Sequence, residues 1–298
     1  MKIHPSVRQE GEDKQYISVD GYQMAYLTAG TPDDTPVVMV HGWLYHAGMW
    51  RDLMQVLSQN FYCIAVDLLG HGHSDKPADF SYSIDRYSQH ILTLMDALGY
   101  DRFIYIGHSM GGMTGLNLAA RLGRQRVIKL VDVSGVTSGR TSHYVRTVHL
   151  PFVWIGWLVP AVYRLQRLGM RFAWYRQILA DNTIYYQRGL SDYDSADIQM
   201  AVIPGMEVSA KKAGEAIMQM DLTPYLQDII APTLILFGEQ DNTVPVAEGY
   251  RAVTHIPDSR MVVYDRCGHF PTVERRDRFF ADVCAFLDIP IPELEPQP

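Results

Sequence analysis

The sequence predicts an α/β protein, with a mostly parallel sheet flanked by helices and one long helical insertion. Three observations predict it. Continuous apolar runs, of the length and kind expected of strands buried on both faces, alternate with helical periods. The alternation stops between Ser134 and Leu226 and then resumes. One apolar run, Phe103 to Ile106, ends in Gly107-His108-Ser109-Met110-Gly111-Gly112 and passes at once into a helical pattern. That puts a serine at the tip of a sharp strand-to-helix turn, with small residues two positions to either side.

The elements follow in order. Met1 to Lys14 is a polar arm without an apolar core segment, so no signal peptide is expected there. Tyr16–Val19 and Gln23–Thr28 flank Asp20-Gly21 and read as an antiparallel hairpin. Val37–Val40 is a buried strand that ends in His41-Gly42-Trp43, followed by a helix over Met49–Gln59. Tyr62–Val66 is the next strand, and a Gly-rich polar loop runs from Asp67 to Asp75. Ser83 caps a helix that reaches Leu98. The strand at Phe103–Ile106 leads through the serine turn into a helix over Ser109–Leu122, and Val127–Val133 is the sixth strand. After the insertion come a strand at Thr233–Phe237, a helix at Val246–Val253, a strand at Arg260–Tyr264 and a helix at Thr272–Leu287. The tail Pro290–Pro298 is proline-rich. The predicted organisation is a core of residues 1–133 and 227–298 with a helical cap of residues 134–226.

Composition narrows the function classes. A chain of 298 residues, 47% hydrophobic with a net charge of -7, is an ordinary globular protein whose acidity argues against nucleic acid as a partner. The three cysteines, Cys63, Cys267 and Cys284, are odd in number and lack metal spacing, which suits free thiols in a reducing, cytoplasmic compartment. No apolar run is long enough to span a bilayer. The polar loop with His71, His73 and Asp75 has no matching ligand pair elsewhere, and the glycines around Ser109 do not space as a dinucleotide fingerprint. No metal or cofactor is therefore expected.

In an open α/β sheet, ligands bind beyond the carboxyl ends of the strands. The residues just past the predicted strands are His41-Gly42-Trp43, Ser109, Gly238-Glu239-Gln240-Asp241 and Gly268-His269. A serine hydroxyl is a weak nucleophile that needs a base, which His269 would supply. The base needs an orienting carboxylate, for which Asp241 is preferred. Asp132 is the rival acid, but it lies inside the apolar run Leu130–Val133 rather than in a loop.

With these residues in place the sequence resembles the α/β-hydrolase superfamily, in its capped serine esterase and lipase branch, which includes monoacylglycerol lipases. The resemblance covers residues 20–288 and rests on His41-Gly42, on Asp67, Gly70, Gly72 and Ser74, on Gly107 to Gly112, on Gly238 with Asp241, and on Gly268-His269. It implies an α/β-hydrolase fold, the catalytic triad Ser109, Asp241 and His269, and an oxyanion hole made by the backbone N–H groups of Trp43 and Met110. The family often has proline at the place of Leu44, a departure that bears on the loop after His41. His41 is expected to bond loop backbone, and His108 to face away from the site as support. Serine at position 109, where some relatives carry aspartate, points to an acyl-enzyme and to carboxylic ester cleavage. Carbon–carbon bond hydrolysis or perhydrolysis on the same triad is the alternative chemistry. A receptor for a small hydrophobic ligand is the alternative outside enzymes.

The insertion speaks to the substrate. From Val133 to Ala180 it has no Asp or Glu but carries six arginines, and Leu150 to Tyr163 is almost wholly apolar. One reading is a lid that rests on a membrane or lipid surface. The preferred reading packs these apolar residues over the active site and leaves the arginines in solvent. Either way the pocket is expected to favour an apolar acyl chain, with Trp154, Trp157, Trp174, Met206 and Met218 as lining candidates. Asp192, Asp194 and Asp197 read as a solvated face or helix caps. The expected substrate is a small hydrophobic ester.

Overall fold

The structure, a computed structural model, describes residues 14–158, 160–169, 172 and 205–291. Trp174, Asp192, Asp194 and Asp197, and the side chain of Trp157, lie outside the described residues. Eight strands form one sheet: β1 (Gln15–Val19), β2 (Tyr22–Ala29), β3 (Pro36–Val40), β4 (Tyr62–Val66), β5 (Phe103–His108), β6 (Val127–Val133), β7 (Thr233–Gly238) and β8 (Ser259–Tyr264), in the order β1-β2-β4-β3-β5-β6-β7-β8. β2 is antiparallel to its neighbours and every other pairing is parallel. The hairpin turns at Asp20 and Gly21, both with positive φ (49° and 85°), which a tight two-residue turn requires.

The inner strands β3, β5 and β7 are buried on both faces because alternate side chains enter different cores. Val38, Val40, Tyr105, Ile235 and Phe237 face the core that includes α2 (Ile84–Ala97), α3 (Met110–Asn117) and α7 (Ala247–His255). Val37, Met39, Ile104, Ile106, Leu234 and Leu236 face the core that includes α1 (Arg51–Leu57) and α9 (Arg276–Phe286). Ser83 caps α2 by accepting from Arg86 N–H at 3.2 Å.

Two helices differ from the sequence reading. The expected Ser109–Leu122 helix begins at Met110, because Ser109 has φ 54° and lies outside it, and its regular part ends at Asn117. The expected Thr272–Leu287 helix is two helices, α8 (Pro271–Glu274) and α9, broken at Arg275 (φ -134°). The break lets the Glu274 carboxylate fold back and accept from Gly268 and Phe270 N–H at 3.0 and 3.2 Å.

Between β6 and β7 the described helices are α4 (Leu150–Leu158), α5 (Pro160–Gly169) and α6 (Glu207–Gln219). The entry to this insertion is anchored by Glu248 of α7. Its buried carboxylate accepts from the N–H groups of Thr137 and Ser138 at 2.9 and 2.7 Å, and from both hydroxyls. The apolar residues divide differently from the preferred reading. Leu150 is buried, whereas Ile155, Leu158, Leu165 and Leu168 are exposed. Among the described residues no helix is long and apolar enough to cross a membrane.

Several histidines are buried in the core half. Desolvation pushes His41 down to about 4 and His71 down to about 3. Both stay neutral in the folded protein, while the unfolded chain takes up protons near pH 6.5. The unfolded state thus binds more protons as pH falls from 6.5 to about 4, and stability drops across that window. Each histidine accounts for on the order of 3 kcal/mol. Urea unfolding at pH 7, 5.5 and 4 should show a falling midpoint; an unchanged midpoint would contradict their neutral burial.

Candidate active site

Ser109 stands between β5 and α3, at φ 54° and ψ -113°, a backbone region costly for any residue with a side chain. The surrounding structure holds it there. Ser109 N–H donates to Val133 O at 2.8 Å, and Met113 N–H donates to Ser109 O at 2.9 Å. The flanking glycines are required by close approach: a Cβ at Gly107 would collide with the Gly111 carbonyl, and one at Gly111 with the Val40 carbonyl. The first N–H groups of α3, beginning with Met110, have no partner within the helix and give this end positive potential.

The loop after β3 approaches Ser109 closely. A Cβ at Gly42 would lie 3.1 Å from Ser109 Cβ. His41 sets the loop's conformation: its Nε2 accepts from Leu68 N–H at 3.0 Å and its Nδ1–H donates to Gly42 O at 2.7 Å. Tyr45 N–H donates to the same carbonyl at 3.2 Å. In a trans peptide the N–H points opposite to the C=O, so fixing Gly42 O also fixes the Trp43 N–H. The Trp43 indole donates to Ala210 O at 2.8 Å, tying this loop to α6. Leu44 has φ 67°, which proline cannot adopt, so the family's frequent proline is incompatible with this loop conformation.

The loops after β7 and β8 bring Asp241 and His269 together. His269 Nδ1 lies 2.7 Å from Asp241 Oδ2, with the carboxylate buried. Asp241 Oδ1 accepts from the N–H groups of Thr243 and Val244 at 2.8 and 2.9 Å. One carboxylate oxygen is thus committed to the imidazole and the other to the backbone. With Nδ1 on the carboxylate, the imidazole has Nε2 left to take a proton. Asp132 has no such place. It is buried within β6 against Gly112 and Gly135, and burial pushes its carboxyl up to about 7.

Ser109 and His269 line one cavity together with Gly42, Trp43, Tyr45 and Phe270 from the core. The insertion supplies a further wall that includes Val145, Leu150, Ile217 and Met218. The sequence-predicted pocket residues divide accordingly. Met218 lines the cavity. Trp154 does not: Leu150 reaches it from the start of α4, and Trp154, one turn on, is 37% exposed with Lys211 Nζ 6.0 Å from its ring. Met206 is buried at the start of α6, eight residues before Gly214, the first lining residue of that helix, or about 12 Å along the axis.

Some site residues escaped the sequence reading. His108 does not face away; it lines the cavity, with its ring 4.7 Å from the His269 ring. Its Nε2–H donates to His269 O at 2.8 Å, so it braces the loop that carries the imidazole. Glu274 braces the same loop through Gly268 and Phe270 N–H, and Gln240 Oε1 accepts from Cys267 N–H at 3.0 Å. The only sequence signal for Glu274 and Gln240 was proximity to Gly268-His269 or Asp241, whereas His108 stands next to Ser109 and its supporting role was expected. In the Asp67–Asp75 loop, Asp67 accepts from Ala47 and His73 N–H at 2.6 and 2.8 Å and pairs with Lys14 Nζ at 2.7 Å. Among the described residues no group of three or more His, Cys, Asp or Glu is placed to hold a metal.

Comparison with known proteins agrees with this architecture. Residues 35–275 match the family described as alpha/beta hydrolase fold. A 2-hydroxy-6-oxo-2,4-heptadienoate hydrolase of Pseudomonas putida is 29% identical, over 85% of this chain and 88% of its own length. Among solved structures, a membrane phospholipase A described as a bacterial virulence factor is 26% identical with a TM-score of 0.77, covering 93% of this chain and 86% of that one. The enol-lactonase from Burkholderia xenovorans LB400 is 26% identical with a TM-score of 0.76, covering 92% of this chain and all of that one. A strained serine between strand and helix, an Asp–His pair from the last two strand ends and a family match over most of the chain agree, and the chain belongs to the alpha/beta hydrolase fold family.

Proposed function

We propose that the protein is a serine hydrolase that cleaves carboxylic esters with an apolar acyl chain through an acyl-enzyme on Ser109. The observation that carries this reading is the buried Asp241–His269 pair, whose imidazole lines one largely apolar cavity with the strained Ser109. Ser109 Oγ attacks the ester carbonyl while His269 Nε2 takes its proton. The oxyanion forms opposite the N–H groups of Trp43 and Met110. Collapse breaks the ester C–O bond, and the imidazolium returns the proton to the departing alcohol. Water then attacks the acyl-enzyme by the same route in reverse roles, releasing the acid and free Ser109. Asp241 keeps the imidazole in the productive tautomer and stabilises it when charged.

A p-nitrophenyl ester series from acetate upward tests the acyl preference. Each methylene buried in an apolar pocket is worth about 0.8 kcal/mol, or about fourfold in kcat/KM. The rate should climb from acetate to a medium-chain optimum; a maximum at acetate would contradict the reading.

The dienoate hydrolase relative favours a second reading, carbon–carbon bond hydrolysis on the same three residues. A dienoate carries a carboxylate, and the described lining residues include no Lys or Arg to pair with it, which supports neutral esters instead. Assaying a 2-hydroxy-6-oxo-dienoate beside the ester series separates the two: turnover of the dienoate at a higher kcat/KM than every ester would select the second reading.

A further inference from the structure

One wall of the cavity carries polar groups that the ester chemistry does not use. Thr141, Val145 and His149 recur every four residues, through the helical turn Val145–His149, and all three line the cavity with Ser109 and His269. Thr243, from the loop beyond Asp241, joins them, and Ser142 N–H donates to Thr243 O at 3.0 Å, which ties together the two segments that carry the threonines. Thr141 Oγ1, Thr243 Oγ1 and His149 Nδ1 are each shielded from solvent and have no hydrogen-bond partner among the described residues. Thr141 is itself more than nine-tenths buried. Thr243 serves Asp241 through its backbone N–H, so its hydroxyl is not engaged there.

Leaving such a group unpaired is unfavourable, and three around one cavity point to an occupant that pairs with them. Their chemistry says what kind. Burial, helped by the nearby His269, pushes His149 down to about 4, so its imidazole is neutral and offers one donor and one acceptor. The hydroxyls also donate and accept. A wholly neutral set suits an uncharged oxygen rather than a carboxylate or an ammonium group.

The geometry points to a polar subsite, formed by Thr141, Thr243 and His149, that binds a second uncharged oxygen function of the substrate, a hydroxyl or carbonyl besides the scissile ester. In naming an ester the inference rests on the reading above; the subsite is a matter of binding. The extra oxygen belongs either to the alcohol portion or to the acyl portion, and the chemistry of recognition is the same.

The test measures binding to the full chain carrying Ser109→Ala, which leaves the ligand intact whatever the wild-type reaction is. The ligands are propyl butyrate, glycerol monobutyrate and propyl 3-hydroxybutyrate, titrated by calorimetry. At least one oxygenated ligand should bind about 10-fold or more tightly than propyl butyrate. Tighter glycerol monobutyrate assigns the subsite to the alcohol side, and tighter hydroxybutyrate to the acyl side. Adding Thr141→Val with Thr243→Val, or separately His149→Phe, should bring that ratio towards one. The valines remove unpaired hydroxyls, so thermal unfolding should occur at the same or a higher temperature and folding should not obscure the result. Equal binding of all three ligands, or a preference that survives both sets of substitutions, would overturn the subsite. Failure of the ester reading would show instead in the wild-type p-nitrophenyl assay.

Discussion

Ser109→Ala should lower kcat for any ester substrate by roughly 10⁴- to 10⁶-fold, the range seen when a nucleophile that works as a unit with its base is removed. What remains is the uncatalysed attack of water, helped by the Trp43 and Met110 N–H groups, which the substitution leaves untouched. The fold should persist. Ser109 is held at φ 54° by backbone bonds to Val133 and Met113, and alanine meets the same strain as serine there. Glycine does not, so Ser109→Gly should be as inactive but about 1 kcal/mol more stable than Ser109→Ala, once relief of strain is set against glycine's extra chain entropy. Steady-state rates with denaturant unfolding of both variants check this. An alanine variant within tenfold of wild type would remove Ser109 from the mechanism.

Asp241→Asn should cost about 10⁴-fold in kcat at neutral pH, through the tautomer rather than through lost structure. The direction follows from the backbone. The Thr243 and Val244 N–H groups both donate to Asp241 Oδ1, so an asparagine would place its carbonyl oxygen there and its amide nitrogen against His269 Nδ1. The amide donates, Nδ1 must accept, and the ring proton moves to Nε2. The imidazole is then unable to take the proton of Ser109. Because shape and backbone bonds are kept, the unfolding midpoint should change little. An Asn variant that retains a tenth or more of the wild-type rate would mean that the carboxylate is not the orienting group, and it would reopen the question of Asp132.

The core was legible in the sequence because its inner strands are buried on both faces. Runs such as Val37–Val40 and Val127–Val133 carry little ambiguity, and the loss of alternation after Val133 marked the insertion at the place where it leaves the sheet. The order of Ser109, Asp241 and His269 was legible for a related reason: each stands just past a strand end, so fixing the strands fixes the loops. The cavity wall was not legible. Which residue of an apolar helix faces a cavity depends on how the helix is rotated and where it begins. Thus Leu150 lines the cavity while Trp154, one turn on, stands outside it with Lys211. The bracing groups were hidden for another reason. Gln240 acts only once two loops have met, Glu274 acts only once the helix breaks at Arg275, and for His108 the supporting role was legible but not its place on the cavity wall, where it bonds the backbone of a residue 161 positions away. The broken helix at Arg275 belongs to the same cause, since helical periodicity cannot show a carboxylate folding back onto Gly268.

The central claim is that Ser109 is a nucleophile activated by His269. It is tested most directly by treating the intact chain with a fluorophosphonate and mapping the adduct by mass spectrometry. The account predicts one rapid, stoichiometric adduct on the peptide carrying Ser109, abolished in Ser109→Ala and slowed by several orders of magnitude in His269→Ala. A fast adduct on another serine, or labelling of Ser109 at the same rate without His269, would contradict it.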